Sequence, residues 1–430
     1  MTTCLQCENM RSATVREFRD PVHGFVELQE HEAKLVDSEP FQRLGRIRQL
    51  GLTSYVYHGA EHSRFGHSLG CMHLASQAFD RVIKKHRSDL GWSEDEVAAK
   101  RGLVRVAALL HDVGHAPFSH AAEKGLFLQP EKHEHYSVAI VTSPPLADII
   151  EESALATGVH PSDVADLLSK NALVPHQFLR ELISGELGAD RMDYLARDSL
   201  FCGVKYGVFD TPRLIDCLIL KEERDGGFVL ALDGGGLHAA EGLLLARYFM
   251  FTQVYFHRVR RIFDLHLTDL ISDIMTKHYG TAAYPEDLAE YLKWDDEGIC
   301  QEAQELADET VANAAWRILH RQPYARVYDT GPHPKGESIL RFTDLLEAAR
   351  TRFPDRAFRQ DAAIDHPERY REMDIWVRKN VPDQWVLFAR ESAAAAGLIE
   401  VVQMRLYSDV RRDESLRQEM ARFCQEFLGS

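Results

Sequence analysis

The run LLHDVGHAPFSH, Leu109–His120, brings three imidazoles and a carboxylate together at the end of an apolar stretch. Neutral imidazoles with carboxylates suit Mn, Fe, Ni or Zn, and a carboxylate-rich set also takes Mg. Neighbouring side chains on a regular helix point about 100° apart. His111 and Asp112 therefore reach one ion together only where the helix ends, and Gly114 and Pro117 supply that end. Two further ligands must come from elsewhere. The candidates are His67, in RFGHSLG, and Asp190, in DRMDYLARDS. One His-Asp pair beside an apolar run carries little weight. The joint pattern with two partner segments is far more specific.

These residues need elements to position them. GHSLGCMHLASQAFDRVIKKH predicts an amphipathic helix, with Leu69, Met72, Ala75, Phe79 and Val82 near one stripe. KRGLVRVAALLHDVGH predicts a second helix, halting at Gly114 and Pro117. FQRLGRIRQLG reads as helix stopped by Gly51. VHGFVEL (Val22–Leu28) reads as a short hairpin. PSDVADLLSKN reads as a helix capped at Ser162 and Asp163. GLLLARYFMFTQVYFHRVRRIFDLHLTDLISDIMTKH reads as one long, mostly buried helix. GGFVLALDGGG, DQWVLFAR and LIEVVQMRLY read as strands. The expected fold is mainly α: a helical core over residues 15–285 after a lead at 1–14, then a smaller α+β lobe at 286–430.

Bulk composition narrows the function. The chain has 430 residues, 45% hydrophobic and 27% charged, ordinary for a soluble globule. Asp and Glu (66) outnumber Lys and Arg (50), for a net charge of −16. That disfavours a whole-surface grip on nucleic acid but leaves room for a small basic pocket. FHRVRR, Phe256–Arg261, is a local basic cluster, read either as a backbone contact or as a helix face paired with acids. No apolar run is long enough for a membrane span. Seven scattered cysteines and the lack of a signal-peptide layout lead us to expect a reduced, cytoplasmic protein. Cys4 and Cys7 form a lone CxxC, read as part of a tail.

RFGHSLG, LLHDVGHAPFSH, KHEHYS and DRMDYLARDS, in that order, resemble the HD superfamily of metal-dependent phosphohydrolases. The likeness is strongest to the deoxynucleoside triphosphate (dNTP) triphosphohydrolases and runs from about Arg19 to Leu270, with DPVHGFVEL at its start. The resemblance implies a divalent metal held by His67, His111, Asp112 and Asp190. It implies hydrolysis of a dNTP to deoxynucleoside and inorganic triphosphate. Water attacks the α-phosphorus, and the 5′-alkoxide leaving group needs a proton, which histidine supplies near neutral pH. His133 matches the family's catalytic His, with Glu134 after it. His115 and His120 match residues contacting phosphate or water, and Glu123 stands where relatives often carry Asp. Arg64, Arg191 and Arg247 match phosphate-contacting cations. Tyr194 matches a sugar-packing residue, Asp198 and Gln49 match 3′-hydroxyl contacts, and Tyr255 and His257 match side chains flanking sugar and base. His62 and His135 are either supporting donors or surface groups.

For regulation, Asp37 and Gln42 match part of a nucleotide effector pocket, Gly45 falls where an Arg is expected, and Arg405 matches another effector contact. Fewer cations predict altered activation, by a different nucleotide or none. A homodimer or homotetramer is implied by resemblance alone. Two other readings stay open: an HD phosphodiesterase or nuclease acting on oligonucleotides or a signalling nucleotide, and a nucleotide-sensing scaffold with little turnover.

Overall fold

The computed structural model describes residues 16–123, 125–127, 133–169, 176–334, 336–365, 375–381, 383–398, 401–410 and 413–429. The lead at 1–14 and its Cys4/Cys7 pair lie outside the described residues. The architecture is a helical core with small sheets. Among the described residues no helix is long and apolar enough to cross a membrane.

Three helices carry the metal-ligand candidates. The first, α3 (Arg64–Leu90), follows α1 (Glu30–Asp37) and α2 (Glu39–Arg43). It buries the expected stripe of Leu69, Met72, Ala75, Phe79 and Val82. The second, α4 (Glu94–Leu110), starts with a capping box. Ser93 Oγ accepts from Glu96 N–H at 3.2 Å while Ser93 N–H donates to Glu96 at 2.8 Å. The helix ends at Leu110, so His111 and Asp112 sit on its exit. After α5 (His133–Val141), α6 (Leu146–Thr157), α7 (Pro161–Leu168) and α8 (Gln177–Ser184) comes the third, α9 (Ala189–Cys202). Helices α4 and α9 both pack on α3.

Two glycines permit those close approaches. A Cβ at Gly70 of α3 would stand 1.9 Å from Asp193 Oδ1 and 2.6 Å from Arg197 on α9. A Cβ at Gly114 would stand 2.2 Å from Ser137 N and 2.4 Å from the His133 carbonyl on α5. The helix has already ended at Leu110, so Gly114 is needed for the approach of α5.

Several local expectations need correction. The hairpin pairs β1 (Arg16–Asp20) with β2 (Gly24–Leu28) about a turn at Pro21–His23, so VHGFVEL supplies part of the turn and the second strand rather than the whole hairpin. FQRLGRIRQLG leaves the α-helix at Arg43, and Gly51 instead opens a 3₁₀ segment, Gly51–Tyr55. The cap of α7 is His160, whose N–H donates to Asp163 at 3.1 Å. After α10 (Thr211–Cys217), β3 (Leu218–Glu222) and β4 (Phe228–Asp233), the expected long helix is two. They are α11 (Leu237–Met250) and α12 (Arg258–Tyr279), separated by a π-helical turn over Phe251–Tyr255. Continuous apolarity hid that break, because no Pro or Gly marks it.

Beyond Pro285 the chain divides between two cores. Tyr291 of α13 (Leu288–Leu292), Ile299 of α14 (Asp296–Leu306) and Ile318 of α15 (Ala314–Leu319) join the large core. A second core holds Val327 of β5 (Ala325–Asp329), Phe342 and Leu345 of α16 (Gly336–Arg352), and Phe358 of β6 (Phe358–Asp365). The chain then returns: β7 (Trp376–Asn380) runs parallel to β4, and β8 (Asp383–Leu387) pairs with β7. This completes a sheet of order β3-β4-β7-β8. Strand β9 (Val401–Ser408) lies between β5 and β6, and α17 (Glu414–Leu428) closes the second core.

Candidate functional site

The helix ends converge on a cavity of about 540 Å³, within the range that takes a nucleotide-sized ligand. At one end His67 Nε2 lies 3.2 Å from Asp190 Oδ1 and 3.5 Å from Asp112 Oδ2. His111 Nε2 lies 3.2 Å from Asp112 Oδ1 and 3.8 Å from Asp190 Oδ1. Each ring is turned by a partner on its far nitrogen. His111 Nδ1 meets the Ala108 carbonyl at 2.8 Å, and His67 Nδ1 meets Asp193 Oδ2 at 2.7 Å. Both Nε2 atoms then face the two carboxylates. His111 Nε2 is buried without a hydrogen-bond partner among the described residues. An orphaned acceptor beside two carboxylates is a donor set that fits a divalent cation.

Charge in this cluster is strongly coupled. Burial opposes ionisation of Asp112, but Arg64 and the neighbouring imidazoles hold its carboxyl well below the usual range. Burial opposes ionisation of Asp190 too, and contacts with His67 and His111 outweigh it. Burial also opposes charge on His67, yet the carboxylates of Asp190 and Asp193 raise its pKa well above an ordinary imidazole. Arg64 bonds Asp112 and donates to Ser119 Oγ at 2.7 Å. Burial pushes the Cys71 thiol up, so it stays protonated although Sγ lies 3.5 Å from both His67 nitrogens.

A second cluster adjoins the first. His115 Nε2 reaches Asp112 Oδ1 at 3.2 Å, and its Nδ1 lies 3.2 Å from Glu123. His133 Nδ1 is 2.8 Å and His120 Nδ1 3.1 Å from the same carboxylate. Glu134 lies 3.8 Å from His133 Nδ1. The His115 and His133 rings stack at 3.8 Å with 19° between planes. Burial, then Arg64 and His133, lower the His115 pKa to about 3, so this ring is neutral near pH 7. Burial disfavours charge on Glu123, but His120 and contacts with all three rings hold it well below the carboxylate range. The loop carrying these groups is bent through Phe118 (φ +57°) and Ser119 (φ +59°). Two consecutive left-handed residues of this kind are costly. Asp296 of α14 holds the bend by accepting from Phe118 N–H at 2.6 Å.

The same cavity is also lined by Gln49, Tyr194, Asp198 and Tyr255. Tyr255 donates its hydroxyl to Asp198 at 2.6 Å, and His62 Nε2 meets the other Asp198 oxygen at 2.8 Å. Burial, then Asp198, raises the Tyr255 pKa well above ordinary. Arg180, Arg260 and Arg261 also line the cavity. The last two belong to the FHRVRR cluster, and Arg261 pairs with Asp361 at 2.6 Å.

The other sequence candidates do not line this cavity. Arg191 pairs with Glu186 and, with Arg247, lines a small neighbouring cleft. His257 caps α12, its Nδ1 accepting from Val259 N–H at 3.3 Å. His135 is exposed. Asp37 is exposed and paired with Arg16, while Gln42 donates to the Val36 carbonyl at 2.8 Å. Arg405 is buried in the second lobe, 3.1 Å from Asp329 and 3.3 Å from Asp361. Sequence reasoning did not single out Asp193, Arg197, Asp20, His23 or Ser119. Asp193 follows Asp190 by one helical turn, which was the available signal.

Comparison with known proteins gives the same reading. The HD domain profile matches residues 64–198, and a profile for an HD associated region matches 209–404. The uncharacterized protein YwfO of Bacillus subtilis is 32% identical over 358 residues, 79% of this chain and 78% of that one. The chain belongs to the HD superfamily of phosphohydrolases. Another HD relative is the deoxynucleoside triphosphate triphosphohydrolase SAMHD1 of Gallus gallus, 29% identical over 68% of this chain and 52% of that one. This chain thus spans about half the length of that enzyme. The crystal structure of a hypothetical protein from Aquifex aeolicus superimposes with a TM-score of 0.74 at 29% identity, covering 94% of this chain and 99% of that one. HD phosphohydrolases are metal-dependent hydrolases, and the His/Asp cluster described above could hold the ion.

Proposed function

We propose that this HD phosphohydrolase cleaves dNTPs to deoxynucleoside and inorganic triphosphate. One observation carries the reading. A single cavity is lined both by His111, Asp112 and Asp190 of the cation-suited cluster, with His67 behind it, and by Tyr194, Asp198 and Tyr255. The name of the Gallus gallus relative supports the substrate class. A divalent cation held by His67, His111, Asp112 and Asp190 would supply Lewis acidity and an acidified water. Mn, Mg, Fe, Ni and Zn are all candidates.

The chain's own groups do the rest. His133, aligned by Glu123, donates the proton to the 5′-oxygen of the leaving nucleoside. Neutral His115 does not compete for that role, and it offers its Nε2 side to the reacting region. Arg64 neutralises phosphate charge. The Tyr194 phenol packs on the deoxyribose and excludes a 2′-hydroxyl, while Asp198 and Gln49 accept from and donate to the 3′-hydroxyl. Altered activation, by a different nucleotide effector or by none, and assembly as a homodimer or homotetramer belong to the same proposal. The seating of Arg405 among two carboxylates argues for a lobe-coupling role rather than an effector contact.

A second reading gains from Arg180, Arg260 and Arg261 on the cavity wall. Such cations suit a phosphodiesterase acting on an oligonucleotide or a signalling nucleotide. Purified protein with Mn or Mg, each dNTP, each NTP and a single-stranded oligonucleotide separates the readings by chromatography. Triphosphate with nucleoside is the expected product. Orthophosphate or mononucleotides favour the second reading, and binding without turnover favours a sensor.

A further inference from the structure

A buried chain of polar contacts runs behind the candidate metal centre, from α9 to the N-terminal hairpin. Asp193 Oδ2 lies 2.7 Å from His67 Nδ1, and Asp193 Oδ1 lies 2.6 Å from His23 Nε2. Arg197, one turn further along α9, donates to both Asp193 oxygens at 2.9 Å. Its remaining Nη1 donates to Asp20 Oδ2 at 2.8 Å. Asp20 Oδ1 in turn accepts from Val22 N–H at 2.8 Å and His23 N–H at 2.9 Å, which fixes the hairpin turn. Asp193 and His67 are at most 1% exposed.

An arrangement like this is costly as mere core filling. A buried ion pair seldom outweighs the desolvation of its members, and apolar packing of equal volume does as well or better. Gly70 is also committed to it, since any side chain there would collide with Asp193 and Arg197. What the network supplies is a fixed imidazole. With Nδ1–H held on a carboxylate, His67 has one tautomer, one ring orientation and a more basic Nε2. The other imidazole of the centre, His111, is oriented by a backbone carbonyl that no side-chain change removes. His67 alone depends on side chains.

We propose that Asp193 is a positioning residue of the metal centre, acting through His67, and that the β1–β2 hairpin sets it through His23 and Asp20. This rests on the reading of His67 as a ligand. The hairpin is then part of the cation site although it supplies no ligand to it. The test is Mn(II) affinity by calorimetry, with the visible spectrum of the Co(II) form as a second readout. Asp193→Asn is expected to weaken Mn(II) binding about 10- to 100-fold, the range usual for such outer partners, and to alter the Co(II) spectrum. His23→Ala is expected to weaken binding less, and His23→Gln, whose amide still donates to Asp193, to restore it within about twofold of the unmodified chain. Thermal unfolding of each metal-free variant separates folding from binding. If Asp193→Asn does not fold, the His23→Ala and His23→Gln pair decides alone. Mn(II) binding and Co(II) spectra unchanged in both Asp193→Asn and His23→Ala would overturn the proposal while leaving the metal centre standing. Unchanged binding in His67→Ala would instead overturn the ligand reading and the proposal with it.

Discussion

Two clusters of imidazoles and carboxylates stand side by side here, joined where His115 Nε2 meets Asp112 Oδ1 at 3.2 Å. They use the same residue types and differ in where the partners stand. Around His67 and His111 the orienting groups, Asp193 and the Ala108 carbonyl, lie behind the rings. The free nitrogens therefore converge on a shared space with two carboxylates. Around Glu123 the carboxylate faces the Nδ1 atoms of three rings directly, and two of those rings are stacked nearly parallel. His120 Nδ1 alone is hydrogen-bonded to Glu123, while the Nδ1 atoms of His115 and His133 are buried without a hydrogen-bond partner among the described residues, so this set too could hold a metal ion. The proposed cation site is the first set, which offers two carboxylates, Asp112 and Asp190, to the second set's one.

The sharpest way to break this comparison is to remove a member of each cluster and measure metal and turnover separately. Asp190→Ala should abolish both Mn(II) binding and hydrolysis, as read by calorimetry and product chromatography. His133→Ala should keep Mn(II) affinity within about twofold and lower kcat on the order of 10²- to 10⁴-fold, the range for a lost general acid. Normal kcat in His133→Ala would remove the acid assignment. Loss of metal in that variant would erase the distinction between the clusters.

The first cluster was more legible in sequence than the second, and the reason is geometric. His111–Asp112 sits at a helix exit with Gly and Pro just beyond, a local signal that periodicity makes visible. His67 and Asp190 lie on helices whose stripes were readable, so their types and segments could be singled out. Asp193 escaped notice because a buried carboxylate on an amphipathic helix looks like any polar residue until its partners are known. His23 and Asp20 stood out only as members of a hairpin segment and of a likeness, since their contacts with Asp193 and Arg197 join residues 170 positions apart for His23 and 177 for Asp20. The break between α11 and α12 was equally hidden. A π-helical turn over Phe251–Tyr255 has no local marker, yet it sets Tyr255 against Asp198. Arg405 matches an effector contact by resemblance, and the register of β9 with β5 and β6 sets it beside Asp329 and Asp361.

A smaller effect on chemistry is expected from a buried carboxylate that belongs to neither cluster. Glu32 takes two bonds from Arg105, at 2.6 and 2.7 Å, and neither residue lines the cavity. Burial opposes its charge, but Arg105 holds its pKa below the ordinary value of 4.5. A depressed folded pKa adds stability that is complete above the unfolded value and lost as pH falls through the folded one. Glu32→Gln should therefore cost about 3–5 kcal/mol at neutral pH, as for one lost partner of a buried pair. It should also flatten the acid side of the stability–pH curve followed by urea unfolding. Mn(II) affinity of the folded variant should not change.

The smallest expected effect tests whether proximity alone makes a ligand. Cys71 lies one turn after His67, with Sγ 3.5 Å from both ring nitrogens, closer than the 3.8 Å between His111 Nε2 and Asp190 Oδ1. Thiolates bind Zn far better than thiols do, so a metal role would require the proton to leave. Burial and the nearby Asp190 and Asp193 carboxylates keep it on, against the pull of His67. Cys71→Ala should then change Mn(II) and Zn(II) affinity by less than about twofold, with a stability loss on the order of 1 kcal/mol for the vacated volume. A tenfold loss of Zn(II) affinity with Mn(II) unaffected would mean that a soft metal recruits the thiol. The first cluster would then have a donor set that depends on its occupant, while the second, lacking sulfur, would not.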